Sequence, residues 1–329
     1  MHIKTERLTS VRRTNQHLVL ILLVCALGGL PVGAQIPNQQ SDEDLRNIIP
    51  EKFVEKRPKR STGRSRTTAI YKRVTVVGAS TVGPSAKGNG QPLKSRDKQY
   101  AQVGLTIWQL RKSVPTDSNA KIVVAGRDGV AEWTPIRVEA GKPLAVDDLV
   151  RLSIESSVDG YLYVIDRGQY RDGTMSDPKL IFPTTRTRGG DNRVKPGRLI
   201  EIPAQDDRPS YFHLRSSRGE LVSELLTIVV AKEPIADLSE QITSQPLTLD
   251  KALLANWQNM WGSKSEHFEL AGGQGKPWTT AEQEAGADMS RELTQDDAPP
   301  QTIFRVAHQP NSPVLVNLQL LVQASSVGR

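Results

Sequence analysis

Residues 159–166, which read DGYLYVID, form the densest apolar run in the stretch that decides the fold, residues 149–231. Apolar and polar residues alternate over 149–155, which is typical of a half-buried strand. Residues 161–165 do not alternate, and this predicts a strand covered on both faces. The Asp-Gly pair that opens the run predicts a hairpin turn, because glycine accepts the positive φ of a tight turn.

Other apolar runs of strand length surround this stretch. Residues 103–110 alternate, and residues 225–231 are the most β-prone run in the chain. Turn signals at 171–174 and 196–197 separate the runs, with no long helix between them. The pattern predicts a mainly β protein: an antiparallel β-sandwich or barrel-like domain over residues 99–329, with a short C-terminal helical insertion.

The C-terminal extension, residues 235–329, is predicted to contain two helices and a closing hairpin. Thr248 is a candidate cap for a helix over 249–261, with Gly262 as its stop. Residues 279–282 read TTAE, a capping box that predicts a second helix ending near 287. Two apolar strands within 302–320, around a proline-rich turn, are predicted to pair and rejoin the sheet.

The N-terminus, residues 1–34, is predicted to be a signal peptide. Basic residues precede an apolar run at 18–27, and Ala34 is a small residue at the expected cleavage point. The alternative is a retained membrane anchor, but the run is short for a span of about 20 residues. Cleavage would remove Cys25, the only cysteine, so the mature chain could not use a disulfide or a thiolate. The protein is therefore expected to be exported, to the periplasm or outside the cell.

Residues 35–98 are predicted to form a disordered basic linker, with order beginning near Tyr100. The segment has few aromatic residues, and 51–73 contain nine Lys or Arg against two Glu. Outside this segment the mature chain is slightly acidic, which argues against a nucleic-acid-binding domain. The linker is either a plain spacer or a tether attracted to anionic envelope polymers.

Two motifs in order carry a family resemblance: Gly-Tyr-Leu-Tyr at 160–163 and Ile-Phe-Pro at 181–183. Together with the strands at 197–203 and 225–230, they make residues 141–234 resemble the bacterial domain of unknown function 4384. The resemblance implies a β-rich domain in an exported protein. The activity of that family is unknown, so the resemblance assigns no catalytic residue.

Motifs for catalysis, metals and cofactors are missing from the sequence. His213, His267 and His308 lie far apart and have no metal-ligand spacing. The chain contains no nucleophile elbow, phosphate-binding loop or dinucleotide fingerprint. The sequence therefore predicts neither a metal site nor a cofactor.

The loop at 184–193 is the best candidate binding site in the sequence. Two arginines can point the same way in an extended segment, and a Gly-Gly pair can turn backbone N–H groups toward an anion. The predicted anion-binding residues are Arg186, Arg188, Gly189, Gly190, Asp191 and Asn192. Asp191 is expected to occupy the two arginines when no ligand is bound, and Thr187 is expected to tolerate alanine. The alternative is a solvated connection.

The sequence favours an exported, non-catalytic binding or interaction module of the cell envelope, whose partner is an envelope polymer or a protein. No nucleic-acid partner is predicted, and no membrane span after signal cleavage. One alternative is a hydrolase that uses Asp166, Asp191 and Asp207, if two of these carboxylates converge across a cleft. The other is a structural envelope component, tethered by the basic segment and assembled through a sheet edge.

Overall fold

The computed structural model describes most of the chain from residue 51 onward. The described ranges are 51–60, 69–74, 99–117, 120–126, 129–216, 219–287, 290–309 and 311–323. The predicted signal peptide and its cleavage site lie outside them. In these ranges no helix is long and apolar enough to cross a membrane.

Within the described ranges, nine strands form the first sheet. They are β1 (Tyr71–Val74), β2 (Gln99–Lys112), β3 (Ile122–Gly126), β4 (Gly129–Val138), β6 (Leu149–Ser156), β10 (Ile200–Ile202), β11 (Phe212–His213), β14 (Ser265–Leu270) and β15 (Thr302–His308). The long strand β2 is central: Leu105 pairs with Ile154 of β6 on one side and with Thr302 of β15 on the other. Beyond β15 lie β14 and β1, while β10 and β11 pair with β6.

Seven strands of the described part of the chain form the second sheet. They are β5 (Leu144–Ala145), β7 (Gly160–Tyr170), β8 (Lys179–Phe182), β9 (Arg193–Val194), β12 (Leu221–Ala231), β13 (Leu247–Thr248) and β16 (Val314–Gln323). β12 lies between β7 and β16, and all named pairs are antiparallel except β5 with β16. Both sheets have open ends, so the predicted antiparallel sandwich is confirmed and the barrel alternative is not.

The main core lies between the two sheets and is built by alternation along the strands. In β16, Val314, Val316 and Leu318 face inward. From Val316 onward, buried and exposed residues alternate along the strand. They pack with side chains such as Leu105 and Ile154 from the first sheet. Burying one such side chain contributes about 1.5–3 kcal/mol. The alternating pattern therefore supplies the energy that holds the two sheets together.

The outer face of the second sheet is also covered, by α2 (Ala236–Ser239) and α3 (Lys251–Trp261). Leu254 and Trp257 of α3 pack against this face, where Tyr163 and Ile165 of β7 are buried. Residues 162–165 of β7 are all buried, which confirms the predicted strand with two covered faces. The helix at 249–261 was expected to be capped by Thr248, but the cap is Asp250, whose carboxylate accepts from Ala252 N at 2.7 Å.

A polar layer covers the outer face of the first sheet. Helix α1 (residues 51–55) and the segment around α4 (Thr280–Ala287) cover this face. Beneath them lie three ion pairs in which both side chains are buried: Arg57–Glu155, Arg137–Glu282 and Arg151–Glu201. The predicted capping box at the start of α4 is confirmed, since Thr279 Oγ1 accepts from Glu282 N at 3.2 Å and Glu282 accepts from Thr279 N at 2.9 Å. The polar face of the alternating strand β6 is therefore buried rather than solvated.

The prediction of a disordered linker is wrong for two described segments. Phe53 and Tyr71 are buried against Phe268 and Ile303, and β1 pairs with β14. Tyr71 also donates its hydroxyl proton to a backbone carbonyl, at 2.5 Å. A basic composition hid these few anchoring side chains. Residues 61–68 and 75–98 lie outside the described ranges.

Both predicted hairpins are wrong. β6 belongs to the first sheet and β7 to the second, so Asp159 and Gly160 lie in a crossover between sheets. Gly160 is needed there for close approach, because a Cβ would lie 2.5 Å from Ala231 O. β15 and β16 likewise belong to different sheets. In the first sheet β15 pairs with β14 on one side and β2 on the other, and in the second sheet β16 pairs with β12.

Candidate functional site

A cavity of about 320 Å³ lies between the two sheets. Strands β6 and β11 line it from the first sheet, and β7, β8, β12 and β16 line it from the second. Its apolar wall consists of Val150, Leu152, Ile181, Phe212, Leu214, Leu221, Leu226 and Leu320. The rest of the lining is mostly polar or charged, and a cavity of this volume is of the size that holds a small molecule.

Two carboxyl groups, those of Asp166 and Glu224, interrupt this apolar wall. Glu224 pairs with Gly168 in the register of β12 and β7, two residues along from Asp166. The two side chains are therefore diagonal neighbours on the inner face of the sheet. Their carboxyl groups form a hydrogen bond with each other, in which protonated Glu224 is the donor.

The electrostatics of the pair favour one retained proton. Burial raises the pKa of Asp166 to about 6. Burial, followed by the negative charge of Asp166, raises the pKa of Glu224 to about 8. Two adjacent carboxylates in a low-dielectric site repel each other, so the pair shares its titration and keeps one proton near neutral pH.

Two oxygen atoms of the pair lack conventional donors. Asp166 Oδ1 and Glu224 Oε2 are fully enclosed, and neither receives a hydrogen bond from an N–H or hydroxyl group in the described part of the chain. A buried acceptor without a donor costs about 1–3 kcal/mol. A shared proton relieves part of this cost, and a ligand with a donor group would relieve more.

The cationic groups around the cavity have different roles. Lys179 is exposed, lies opposite Asp166 in the strand register and lowers the pKa of both carboxyl groups. His213 and Arg215 both contact Asp147, with Arg215 Nε at 2.7 Å from the carboxylate. The Arg215 hydrogen bond lowers the pKa of Asp147. Lys179 is therefore the cation of the cavity lining that acts on the pair.

Two residues of the predicted anion-binding loop are hydrogen bonded to neighbouring backbone groups. Arg188 has a φ of 56°, and its Nη1 donates to Leu199 O at 3.0 Å. Asn192 is buried; its side chain donates to Leu162 O at 3.0 Å, and its own carbonyl accepts from Leu162 N at 2.8 Å. Both residues therefore support the loop.

The remaining residues of that prediction do not meet at one surface. Gly190 N donates to Thr187 O at 3.0 Å. Asp191 binds Arg193 and Arg198, not Arg186 and Arg188 as expected. Only Arg186 and Gly189 of the six are exposed. The tight turn at 188–190 directs the Arg188 guanidinium toward the protein, which separates it from the solvent-facing Arg186.

Thr187 is also structural, contrary to expectation. Its hydroxyl donates to Asp207 Oδ2 at 2.6 Å, and Asp207 accepts from Ala204 N at 2.8 Å. Both side chains are buried. Of the three carboxylates considered for a hydrolase, Asp166 lines the cavity between the sheets, and Asp191 and Asp207 do not. The structure thus does not assemble that set in one cleft.

A second, more open cleft of about 820 Å³ lies beside the loop. Its lining includes Tyr161, Arg193, Lys195, Arg198 and Lys232. The basic side chains already have partners: Asp191 binds both arginines, Glu292 binds Lys195, and Asn311 binds Lys232. The described residues contain no cluster of three His, Cys, Asp or Glu side chains that could hold a metal ion.

Comparisons with known proteins do not identify the chain. No family model, curated protein or solved structure matches it. The resemblance to the domain of unknown function 4384 therefore stays a prediction that depends on the two motifs. In the structure, Gly-Tyr-Leu-Tyr opens β7, and Ile-Phe-Pro lies at the end of β8, where Ile181 lines the cavity between the sheets.

Glu224 is not among the residues predicted for a site, although the sequence contains a signal for it. Leu226 and Ile228 face the core between the sheets, so Glu224 occupies the next inward position of the same strand. Leu162 and Val164 place Asp166 in the same way on β7. Charged residues at inward positions of adjacent strands indicate a polar site within the core.

Proposed function

We propose that this protein is an exported ligand-binding module of the cell envelope that holds a small molecule between its two β-sheets. The observation that carries the proposal is the Asp166–Glu224 carboxyl pair, which lies beside the apolar side chains of a cavity between the sheets. Ligand sites combine apolar walls with a few convergent polar groups. Side chains with strongly shifted pKa values that lie in clefts are frequent at functional sites.

The stability cost of the pair supports a role in binding. Apolar side chains at the two positions would continue the core pattern and would avoid enclosing two acidic groups. The chain instead keeps Asp166 Oδ1 and Glu224 Oε2 enclosed without conventional donors. A ligand that supplies a donor or a positive charge would satisfy these atoms.

The geometry of the pair favours binding over glycoside hydrolysis. The two carboxyl groups hydrogen bond directly. Glycoside hydrolysis requires carboxyl groups about 5 Å or more apart, so that a sugar and a water molecule can be placed between them. The cavity therefore supports the binding module over the glycosidase form of the alternative.

A small-molecule screen with a blocked-cavity variant tests the proposal. The side chain of Ile181 is half-buried at the cavity wall, and Ile181→Trp should fill the space. A ligand at 100 times its Kd adds about 2.7 kcal/mol to the free energy of unfolding, which a thermal-shift assay detects. Hits should stabilise the unsubstituted protein and should not stabilise Ile181→Trp.

The matched control is Val123→Trp, which adds the same indole to an exposed position of β3, a strand that does not line the cavity; Val123 is 65% exposed. This control should respond to hits as the unsubstituted protein does. Equal stabilisation of Ile181→Trp would place the binding site elsewhere. A broad screen without a single specific hit would count against a binding function for this cavity.

A further inference from the structure

We infer that the ligand is an amphipathic cation, with an apolar body between the sheets and one amine-like group that replaces the proton shared by Asp166 and Glu224. The inference rests on the proposed binding function and adds the chemical class of the ligand. This ligand differs from the anion predicted at the loop, because the Asp166–Glu224 pair is negatively charged and attracts a cation.

The apolar side chains in the cavity wall favour a ligand with an apolar body. Val150 and Leu152 from the first sheet face Leu226 and Leu320 from the second. The volume of about 320 Å³ lies near the lower end of the range for small-molecule sites. A short alkyl or aryl group would fill the space between these walls without requiring the sheets to move apart.

The enclosed oxygen atoms indicate a group that donates hydrogen bonds. Asp166 Oδ1 and Glu224 Oε2 accept no N–H or hydroxyl hydrogen bond within the described ranges. No salt bridge to a Lys or Arg of those ranges involves either carboxyl group, and Lys179 stays exposed at the strand opposite Asp166. A ligand ammonium group has three N–H donors and a full positive charge, and it matches both needs.

Charge balance decides between a cation and the other ligand classes. With one shared proton, the pair carries one negative charge, and Lys179 next to it carries one positive charge. When an ammonium group enters and the proton leaves, the net charge of the site is unchanged. An anionic ligand would bring a further negative charge to a low-dielectric site, where like charges repel strongly.

The remaining titratable groups of the cavity do not replace the pair in this role. His213 and Arg215 face the cavity from β11 and the residues after it, and both contact Asp147. Tyr170 faces it from the end of β7. His213 is the histidine of this lining, so its replacement serves as a separate control.

Proton exchange makes the affinity of an amine dependent on pH. While the free pair keeps its proton, binding releases one proton, and the affinity rises about tenfold for each pH unit. The pKa of Glu224 is raised to about 8, so this rise should stop near that pH. A neutral alcohol would bind without releasing the proton and would show no such slope.

Isothermal titration of the full-length mature protein with hexylamine, hexanol and hexanoate at about pH 6, 7, 8 and 9 tests the inference. These three probes share one alkyl body and differ in charge, and an alkyl amine keeps its proton over this range. Hexylamine should bind most tightly, and its Kd should decrease about a hundredfold between pH 6 and 8. Titrations at pH 7 in buffers of different ionisation enthalpy should count about one proton released for each amine bound, and the count should fall toward zero at pH 9.

Glu224→Gln should abolish the pH dependence of amine binding, and His213→Gln should preserve it. Glu132→Gln is the matched control, since Glu132 is an exposed carboxylate paired with Lys121 and does not line the cavity. If Glu224→Gln does not fold, as judged by circular dichroism, the proton count measured on the unsubstituted protein decides.

Tighter binding of hexanol or hexanoate, or amine binding without proton release, would overturn the inferred ligand class. The screen with Ile181→Trp could still support the cavity in that case. If none of the three probes binds while the screen finds cavity ligands, the cation hypothesis fails and the proposed binding function stands. If the screen also finds none, the proposed function fails with it.

Discussion

Arg57 joins three parts of the protein that lie far apart in sequence. Its guanidinium is buried, and Nε and Nη2 each donate to the Glu155 carboxylate at 2.8 Å. Nη1 donates to the carbonyl oxygens of Thr294, Asp297 and Ala298 at 3.1–3.3 Å. One side chain therefore connects the segment after α1, strand β6 and the C-terminal extension.

Arg57→Met should destabilise the protein strongly. Methionine keeps an apolar stem of similar length but leaves Glu155, which is 2% exposed, as a buried charge without its partner. Removing one member of a buried ion pair costs about 3–5 kcal/mol. Replacing both members by apolar side chains of similar volume is often neutral, so Arg57→Met with Glu155→Met should recover most of the loss.

Urea unfolding followed by circular dichroism measures these free energies, and brief trypsin digestion reports release of the segment at Lys52 and Lys56. Arg60→Met is the matched control, because it removes the same charge from an exposed position of the same segment. That change should cost less than about 0.5 kcal/mol. If Arg57→Met is as mild as Arg60→Met, or if the double variant is as unstable as the single one, the docked segment and its ion pair would be refuted.

Three further predictions concern the carboxyl pair, the loop and the core. Burial and then the charge of Asp166 raise the pKa of Glu224 to about 8, so the folded state binds this proton more tightly than the unfolded state does. The free energy of unfolding, measured by urea titration, should therefore fall as the pH rises from about 5 to 9, and Glu224→Gln should remove most of this fall. If the pH dependence of the variant equals that of the unsubstituted protein, Glu224 is not the group that binds this proton. Thr187→Ala should lower the free energy of unfolding by about 1–3 kcal/mol, because it removes a hydrogen-bond donor from the buried carboxylate of Asp207. The control Thr185→Ala, at an exposed neighbouring position, should lower it by less than about 0.5 kcal/mol. Equal losses for the two variants would argue against the buried hydrogen bond. Ile228→Ala should lower the free energy of unfolding by about 2–5 kcal/mol, because this side chain is fully buried between the sheets, and a cost near zero would remove it from the core.

The strands were predictable from the sequence, but two of their pairings were not. The pattern of β7 correctly indicated burial on both faces. The Asp-Gly pair before it suggested a hairpin, since short connections usually join antiparallel neighbours. Here β2 pairs with β6, and β12 pairs with β7, so the chain crosses between sheets at Gly160. Local turn chemistry does not reveal which sheet offers a free strand edge.

The docked N-terminal segment shows why composition predicted the linker incorrectly. Its average is basic and polar, and that average was the basis for expecting disorder. The segment docks through individual side chains, chiefly Phe53, Arg57 and Tyr71. The partner of Arg57 is Glu155, which belongs to the polar side of an alternating strand and would ordinarily face water. A polar strand face is buried only if another segment covers it, and that depends on tertiary structure.

The carboxyl pair, in contrast, depends on the same pattern that determines the fold. Strand register is set wherever one face is buried, because a shift by one residue would move every inward side chain to the other face. On β12, inward Leu226 and Ile228 fix the direction of Glu224, and on β7 inward Leu162 and Val164 fix that of Asp166. A break in regular pairing near Leu221 keeps that residue in the same inner cluster. The apolar positions that hold the sheets together thus also hold the two acidic side chains in place, and the site cannot be lost by a register shift without losing the core.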